Sequence, residues 1–213
     1  MGDKTKLDLN SVNNNFYKSI KTFNLHKSDN PIAIFVTGVS GSGKSTMIDD
    51  IEFNALKIQP DNYRKLHPRI NQFKEKYGRD EAYKRTSKYS FEFAKALRNK
   101  AIEEYLNVIY EATFSKVATA QDLIKPFIEN GYQVVVVKLP IDVELSIQRN
   151  ISRYAEKHSQ EHTIPRITSR EDIEKMADNY DQTLNEVSKQ GIKIINKAEL
   201  KELLIHLNKN NAL

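Results

Sequence analysis

The sequence predicts an α/β fold in which a parallel sheet of five strands is covered by helices on both faces. Short apolar runs alternate with longer segments of helical periodicity along most of the chain. The apolar runs are nearly continuous, which is typical of strands buried on both faces. The alternation itself favours parallel pairing, because each helix can return the chain to the same edge of the sheet.

The composition is that of an ordinary globular protein. The chain has 213 residues, of which 39% are hydrophobic and 29% are charged, and it shows no repeat or linker. We therefore expect one domain over residues 1–213. The absence of cysteine excludes disulfides, thiolate metal sites and a cysteine nucleophile, and it suits a cytoplasmic location. No apolar run approaches the about 20 residues that span a membrane.

The first 30 residues are polar, and we interpret residues 1–30 as an N-terminal helical extension. Apolar residues recur there at helical spacing between Leu7 and Phe23, which predicts one amphipathic helix packed on the core. A turn before Pro31 then leads into the apolar run Ile32–Thr37, the first predicted strand.

The remaining elements follow in strand and helix alternation. The predicted strands are 55–59, 106–110, 133–139 and 192–195. The predicted helices are 46–51, 80–100, 118–130, 142–157, 171–190 and 198–208, and residues 61–80 are predicted to be a polar loop. Pro126 lies inside one of these helices, so we expect a kink or a break there.

Residues 38–45, between the first strand and its helix, read GVSGSGKS and fit the pattern G-x-x-x-x-G-K-[ST]. This pattern in this setting predicts a P-loop, and with it a P-loop NTPase or kinase fold that uses ATP or GTP. Lys44 would bring positive charge to the β- and γ-phosphates, and the Ser45 hydroxyl would bind Mg²⁺. The predicted nucleotide-binding residues are Gly38, Val39, Ser40, Gly41, Ser42, Gly43, Lys44, Ser45 and Thr46.

Two acidic residues follow predicted strands, at the edge of the sheet where ligands of α/β proteins collect. Asp61 follows the second strand and is a candidate general base, since phosphoryl transfer to a hydroxyl needs a carboxylate to accept the proton. Its equally compatible alternative is the cap of a helix that begins at Asn62. Glu111, followed by Thr113, could hold a substrate hydroxyl or a metal-bound water, or be a solvated strand end.

Arg153 and Arg166 flank a polar stretch near the fourth predicted crossover. In a P-loop kinase such a stretch is a lid, here residues 153–168, whose arginines clamp the transferring phosphoryl group. A solvated basic surface is the alternative. His158 and His162 have no visible third ligand, which favours a lid over a zinc site. Residues 196–199 read NKAE, which departs from the guanine-reading N-K-x-D motif, so we do not expect a GTPase.

The formal charge of +5 and the pI of about 9.1 fit a pocket for polyanionic ligands or simply a basic surface. No RNA- or DNA-binding motif is visible, so we do not expect nucleic acid as a partner. The rival from another class is a nucleic-acid-binding NTPase that uses Lys84, Arg85, Lys88, Lys95 and Arg98.

Several of these segments together resemble the zeta toxin family, the P-loop kinases of bacterial toxin–antitoxin systems. Residues 61–68, DNYRKLHP, are similar to its D-x-[FY]-[RK]-x-x-H-P motif, and residues 108–113, VIYEAT, to its L-[VI]-I-E-G-T motif. Arg153-Tyr154 and residues 165–168, PRIT, resemble its R-Y-E and A-R-A-T pair. The resemblance extends from residue 32 to about residue 186 in the family's order.

This resemblance implies a Mg²⁺-dependent kinase that moves the γ-phosphoryl group of ATP or GTP to a UDP-amino-sugar, typically the 3′-hydroxyl of UDP-N-acetylglucosamine. By position it implies that Asp61 is the base and that Lys44, Arg153 and Arg166 act on the phosphoryl group. The substrate-binding residues that it implies are Asp61, His67, Glu111 and Thr113. It also implies an antitoxin protein that blocks the site, although the N-terminal helix could inhibit in cis instead.

Four positions depart from the family pattern, all in the half of the site that would bind the acceptor. Ala112 replaces a glycine, Ser115 an arginine, Leu123 a threonine and Lys95 a glutamate. A site built to hydrogen-bond one substrate rejects analogues strongly. The resemblance therefore predicts the reaction class more firmly than the acceptor, which could be another nucleotide, sugar or antibiotic hydroxyl.

Overall fold

A computed structural model describes residues 5–160, 164 and 168–210. It confirms the predicted sheet, whose strands are β1 (Ile32–Thr37), β2 (Leu56–Ile58), β3 (Val108–Ala112), β4 (Gln133–Lys138) and β5 (Lys193–Ile195). The strand order is β2-β3-β1-β4-β5, and every pairing is parallel. All five carboxyl ends therefore lie at one edge of the sheet.

Helices cover both faces of this sheet. They are α1 (Leu9–Phe23), α2 (Lys44–Asp50), α3 (Ile70–Tyr77), α4 (Arg79–Arg85), α5 (Ser87–Glu103), α6 (Val117–Glu129), α7 (Val143–His158), α8 (Arg170–Ser188) and α9 (Lys197–Asn210). A 3₁₀ helix, Pro60–Leu66, follows β2. In the described part of the chain, no helix is both long and apolar enough to cross a membrane.

Both faces of the central strand β1 are buried, which explains why polar residues do not alternate with apolar ones along it. Ala33 and Phe35 point into the larger core cluster, which α1, α5, α6 and α8 complete. Ile32, Ile34 and Val36 point into the smaller cluster, which α2 and α9 complete. Successive strand residues face opposite sides, so a strand in the middle layer must be apolar at every position.

The helix α1 is an integral part of the larger core. Val12 and Phe16 are fully buried, and α1 packs on α5. The ammonium of Lys100, on α5, lies 5.5 Å from the ring of Phe16. These contacts confirm the prediction of an additional helix packed on the core.

Two predicted elements were wrong in detail, and one of the two outcomes expected at Pro126 did not occur. Residues 61–80 are not a loop, because the 3₁₀ helix and α3 occupy most of them. The helix predicted over 80–100 is two helices that meet at Thr86, whose hydroxyl donates to the carbonyl of Ala82 at 2.9 Å. Pro126 does not break α6. The carbonyl of Asp122, which a proline at 126 leaves without its helical donor, lies 3.5 Å from Nη1 of Arg98.

Candidate active site

A cleft of about 860 Å³ opens at the carboxyl edge of the sheet. It is lined by residues of the P-loop (residues 38–45), α2 and α7, and by residues of the 3₁₀ helix and α3 together with Tyr83 of α4. Among the described residues that line the cleft, none belongs to α1. The cleft therefore lies where the parallel sheet predicts a ligand site, and α1 packs elsewhere.

The P-loop passes so close to α7 that one of its glycines is required. Gly41 has φ +88, a conformation that residues with a Cβ rarely adopt. A Cβ added there would lie 2.4 Å from the carbonyl oxygen of Ser146 and 2.7 Å from Nδ2 of Asn150. Gly41 thus lets the loop turn and lets it pack directly against α7.

Lys44 is the first residue of α2 and is buried within the P-loop. Its ammonium donates to the carbonyls of Gly38 at 2.9 Å and Val39 at 2.8 Å. Because Lys44 also lines the cleft, its charge is held at the floor of the space where a bound phosphate would lie.

The next residue, Ser45, contacts the acidic residue of β3. Its hydroxyl lies 3.1 Å and 3.3 Å from the two carboxylate oxygens of Glu111. Glu111 is not beyond the strand, as predicted, but within β3, where it pairs with Val36 and is half-buried. Glu111 is thus the last residue but one of β3.

The pair formed by Ser45 and Glu111 fits Mg²⁺ chemically. Mg²⁺ prefers oxygen ligands, keeps several waters, and usually takes one or two protein ligands beside substrate phosphates. Within the described ranges, no group of three or more His, Cys, Asp or Glu residues could hold a metal alone. A metal here would thus depend on the phosphates of a bound nucleotide.

Asp61 lines the same cleft as the P-loop and lies in the first turn of the 3₁₀ helix. It is not the cap of a helix that begins at Asn62, because the 3₁₀ helix begins at Pro60 with Gln59 as its cap residue. Instead its carboxylate accepts hydrogen bonds from two side chains. Nε of Arg64 donates to Oδ1 at 2.9 Å, and the hydroxyl of Tyr83 lies 3.1 Å from both oxygens.

Arg64 contacts both Asp61 and Tyr83. Its side chain is only 7% exposed, and its guanidinium carbon lies 3.7 Å from the centre of the Tyr83 ring. Nη1 also donates to the Tyr83 carbonyl at 2.6 Å. Asp61, Arg64 and Tyr83 therefore form one hydrogen-bonded cluster, in which the carboxylate is fixed while 37% of its side chain stays exposed.

The helix α7 brings basic residues to the same cleft. Arg149, Arg153 and Lys157 recur every fourth residue and line it together. Nη1 of Arg149 donates to the carbonyl of Gly41 at 3.3 Å, and Nη2 of Arg153 donates to Oδ1 of Asn150 at 2.6 Å. The predicted partner Arg166 lies outside the described residues, as does much of the predicted lid.

The structure does not bring His67 to this cleft. His67 is 1% exposed, and its ring packs on Phe73 and Tyr89. Its Nδ1 accepts the backbone N–H of Arg69 at 3.0 Å, and burial lowers its pKa from the ordinary 6.5. It lines a separate cavity of about 30 Å³. Thr113, just after β3, is half-buried and is not among the described residues that line the cleft.

Comparison with known proteins agrees with this geometry. The zeta toxin family model matches residues 15–210. This chain belongs to the zeta toxin family. The motifs at residues 61–68 and 108–113, which suggested that family, supply Asp61 and Glu111 to the cleft.

One curated relative in this family is toxin PezT of Streptococcus pneumoniae serotype 4. It is 29% identical over 133 residues, which are 61% of this chain and 52% of PezT. The chain therefore spans about half the length of the curated relative that it matches.

Two solved structures share the fold of this zeta toxin family member. One comes from the PezAT chromosomal toxin–antitoxin system of S. pneumoniae, with a TM-score of 0.73, 19% identity, and coverage of 91% of this chain and 77% of that chain. The other is a Chloroflexus aurantiacus protein with the provisional name of kinase, with a TM-score of 0.55, 13% identity, and coverage of 79% and 88%. At these identities they confirm the fold.

Several residues of the site were not predicted from the sequence, among them Arg149 and Lys157 of α7 and the two partners of Asp61. Of those partners, Arg64 lies in the family-like motif, whereas Tyr83 lies outside it. A basic residue three positions after Asp61 was the available signal for Arg64. No sequence pattern indicated that Tyr83 would reach Asp61, since the contact depends on how α4 packs beside the 3₁₀ helix.

The segment NKAE at residues 196–199 has a structural role. Oδ1 of Asn196 accepts the backbone N–H groups of Ala198 at 2.8 Å and Glu199 at 3.1 Å, and the Glu199 carboxylate accepts the N–H of Asn196 at 2.7 Å. This reciprocal arrangement is a capping box for α9. It explains the segment without guanine recognition.

Proposed function

We propose that this protein is a kinase that transfers the γ-phosphoryl group of ATP or GTP to a hydroxyl of a UDP-amino-sugar such as UDP-N-acetylglucosamine. One observation carries the proposal: a single cleft is lined by a P-loop, by the carboxylate of Asp61, which Arg64 and Tyr83 hold, and by Arg153. Membership of the zeta toxin family supports the same reaction class. The similarity to PezT, which is named a toxin, supports a toxic role.

On the donor side, catalysis would be mainly electrostatic. The charge on the transferring phosphoryl group would be offset by the P-loop amides, Lys44 and Arg153. Arg166 would be a second clamping arginine. Ser45, with Glu111 beside it, would hold Mg²⁺, and the ion would supply positive charge to offset the charge of the donor phosphates.

On the acceptor side, Asp61 would accept a hydrogen bond from the attacking hydroxyl. It would take the proton as the new oxygen–phosphorus bond forms and the bond to the leaving nucleoside diphosphate breaks. Arg64 and Tyr83 would hold the carboxylate in one orientation, which lowers the entropy lost on reaching the transition state.

The cleft wall beyond Asp61 suits an anionic, polar acceptor. It is lined by Asn62, Lys65, Asn71 and Lys74, and Lys157 faces it from α7. Amides and ammonium groups are donors for phosphate and sugar oxygens. This lining supports a UDP-sugar, for which Glu111, which also lines the cleft, was a predicted contact.

A nucleic-acid-binding NTPase has less support. Within the basic set named for it, Lys84 and Arg85 form ion pairs with Glu81. Arg98 is buried, and its guanidinium donates to Asn99. These residues do not form one continuous exposed basic surface, which nucleic-acid binding would need.

An antitoxin partner is part of the proposal, as is a cytoplasmic location where nucleotides are available. The similar PezAT structure comes from a toxin–antitoxin system. Inhibition in cis by α1 would require Val12 and Phe16 to leave the core, so a separate protein is the better candidate.

The proposal is tested by incubating the protein with γ-labelled ATP or GTP, Mg²⁺, and UDP-sugars, nucleosides and aminoglycosides in turn. We expect label on UDP-N-acetylglucosamine or a related UDP-amino-sugar, and none with a Lys44→Ala variant. Label on a nucleoside or an aminoglycoside would change the acceptor. Label in inorganic phosphate alone would refute the kinase.

A further inference from the structure

A buried asparagine of α7, Asn150, joins the P-loop to the arginine beside it. Asn150 is 1% exposed. Its Nδ2 donates to the carbonyls of Ser40 at 3.0 Å and Ser146 at 2.8 Å. Its Oδ1 accepts from the hydroxyl of Ser40 at 3.0 Å and from Nη2 of Arg153 at 2.6 Å.

These four bonds use the full capacity of a carboxamide, which has two donors and two acceptor lone pairs. They also fix its orientation. With the amide turned around, two N–H groups would face the guanidinium of Arg153, which can only donate. The oxygen of Asn150 must therefore point at Arg153, and its nitrogen at the P-loop.

Ser40 also contacts Thr168, the last residue of the predicted lid. The Ser40 hydroxyl gives its one proton to Asn150, so the hydroxyl of Thr168, 3.0 Å away, is the donor in their contact. Asn150 precedes the predicted lid (residues 153–168) and Thr168 ends it. Both sides of that segment are thus attached to one P-loop residue.

We propose that Asn150 is a positioning residue that holds the Arg153 guanidinium at the γ-phosphate of the donor and ties its position to that of the P-loop. The inference rests on the proposed function, because it takes the P-loop to bind a nucleoside triphosphate. Asn150 acts through Arg153. A side chain as long as arginine has many rotamers, and one short bond to a buried acceptor selects the one that faces the cleft.

The test compares binding of AMPPNP and ADP, since only AMPPNP carries a γ-phosphate group. Calorimetry on the whole chain gives both dissociation constants, and their ratio isolates the γ-phosphate contacts. A bond to a charged donor is worth about tenfold or more in an equilibrium. We expect Arg153→Ala and Asn150→Ala each to reduce the AMPPNP preference by about that factor, and the double variant to reduce it no further.

A purely structural role would give a different result. Loss of packing would weaken ADP and AMPPNP alike, and it would add to the effect of Arg153→Ala. The inference would be overturned if Asn150→Ala weakened ADP and AMPPNP binding equally, if its effect added to that of Arg153→Ala, or if the ratio of the two dissociation constants were unchanged. If the wild type binds neither nucleotide, nor GMPPNP and GDP, the proposed function itself is refuted, and the inference falls with it.

Two variants serve as controls. Asn107 is also a buried asparagine with bonds to two chain segments, but it lies at the opposite edge of the sheet, where it contacts Asn54 and Ile32. Asn107→Ala should lower the melting temperature and leave the nucleotide ratio unchanged. Asn150→Asp keeps the acceptor for Arg153 but places a carboxylate oxygen beside the carbonyls of Ser40 and Ser146, so it should weaken ADP and AMPPNP binding by a similar factor. This variant should retain the preference for AMPPNP over ADP. Loss of the preference in Asn150→Asp would contradict the inference, and this test holds even if Asn150→Ala fails to fold.

Discussion

Removing one oxygen atom from Tyr83 should separate catalysis from stability. In the wild type, Nε of Arg64 donates to Oδ1 of Asp61, and the Tyr83 hydroxyl lies 3.1 Å from both carboxylate oxygens. Tyr83→Phe removes one of the groups that hold the carboxylate in its orientation. Because the site is partly open to water, we expect a loss of about 1 kcal/mol in the free energy of unfolding.

The catalytic effect should be at least as large as the effect on stability. A base that samples several orientations is less often aligned with the attacking hydroxyl, and we expect kcat to fall about tenfold, or about 1.4 kcal/mol in the barrier. The assay is steady-state transfer of labelled phosphate to the acceptor found with the wild type, combined with urea unfolding.

The matched control is Tyr132→Phe. The Tyr132 hydroxyl is buried away from the cleft, 3.0 Å from the carbonyl of Ala101 and 2.9 Å from that of Leu106, and its one proton is shared between these two acceptors. Its loss should cost about 1–3 kcal/mol of stability, more than Tyr83→Phe, with kcat unchanged. Full kcat in Tyr83→Phe would refute the role of Tyr83 in holding Asp61.

Three further variants test other parts of the site. Gly41→Ala should abolish nucleotide binding in calorimetry, because the added Cβ would collide with α7. Gly131 has a similar φ of +76 but open space around it, so Gly131→Ala should lower stability and leave nucleotide binding unchanged. Equal nucleotide binding by the two variants would contradict the packing argument. Burial lowers the pKa of His67 from the ordinary 6.5, so the unfolded state binds the proton more readily than the folded state. The stability of the protein should therefore fall as the pH is lowered below about 6.5. In His67→Gln, the free energy of unfolding measured with urea should depend less on pH between about pH 5 and about pH 7. An unchanged pH dependence would exclude His67 as its cause. Glu111→Gln should raise the Mg²⁺ concentration needed for half-maximal transfer if Glu111 serves the metal, whereas a raised KM for the acceptor alone would assign it to the substrate.

The sheet could be predicted because each central strand shows its environment directly. β1 and β4 are apolar at nearly every position, since both of their faces are covered. β3 was predicted two residues too early, because the polar Glu111 was taken as its end. Its ladder with β1 in fact continues through Glu111 and Ala112. A strand end is set by backbone pairing, and a half-buried glutamate at the edge of a cleft gives no apolar signal.

The short helices between residues 60 and 86 show the opposite case. The 3₁₀ helix, α3 and α4 each have seven or eight residues and bury few apolar side chains. Isolated helices of this length are unstable, so their periodicity is weak and packing decides that they form. They nevertheless bring together Asp61, Arg64 and Tyr83. The position of Asp61 after the second strand predicted that it would lie at the carboxyl edge of the sheet, and the family-like motif favoured its role as the base over that of a helix cap.

Asn150 could not have been found from the sequence. It is one polar residue on a polar helix and belongs to no motif. Its position one turn before Arg153 was the only indication. Its burial arises because Gly41 lets the P-loop approach α7, which is a property of the tertiary structure.

The central claim is that Asp61 is the base for transfer from a nucleotide held by the P-loop. The most direct measurement is single-turnover transfer of labelled phosphate from pre-bound ATP by the wild type and by Asp61→Asn, with AMPPNP affinity measured for both. We expect transfer to fall by about three orders of magnitude or more in Asp61→Asn, with AMPPNP affinity nearly unchanged. Transfer at the wild-type rate in Asp61→Asn would contradict the claim.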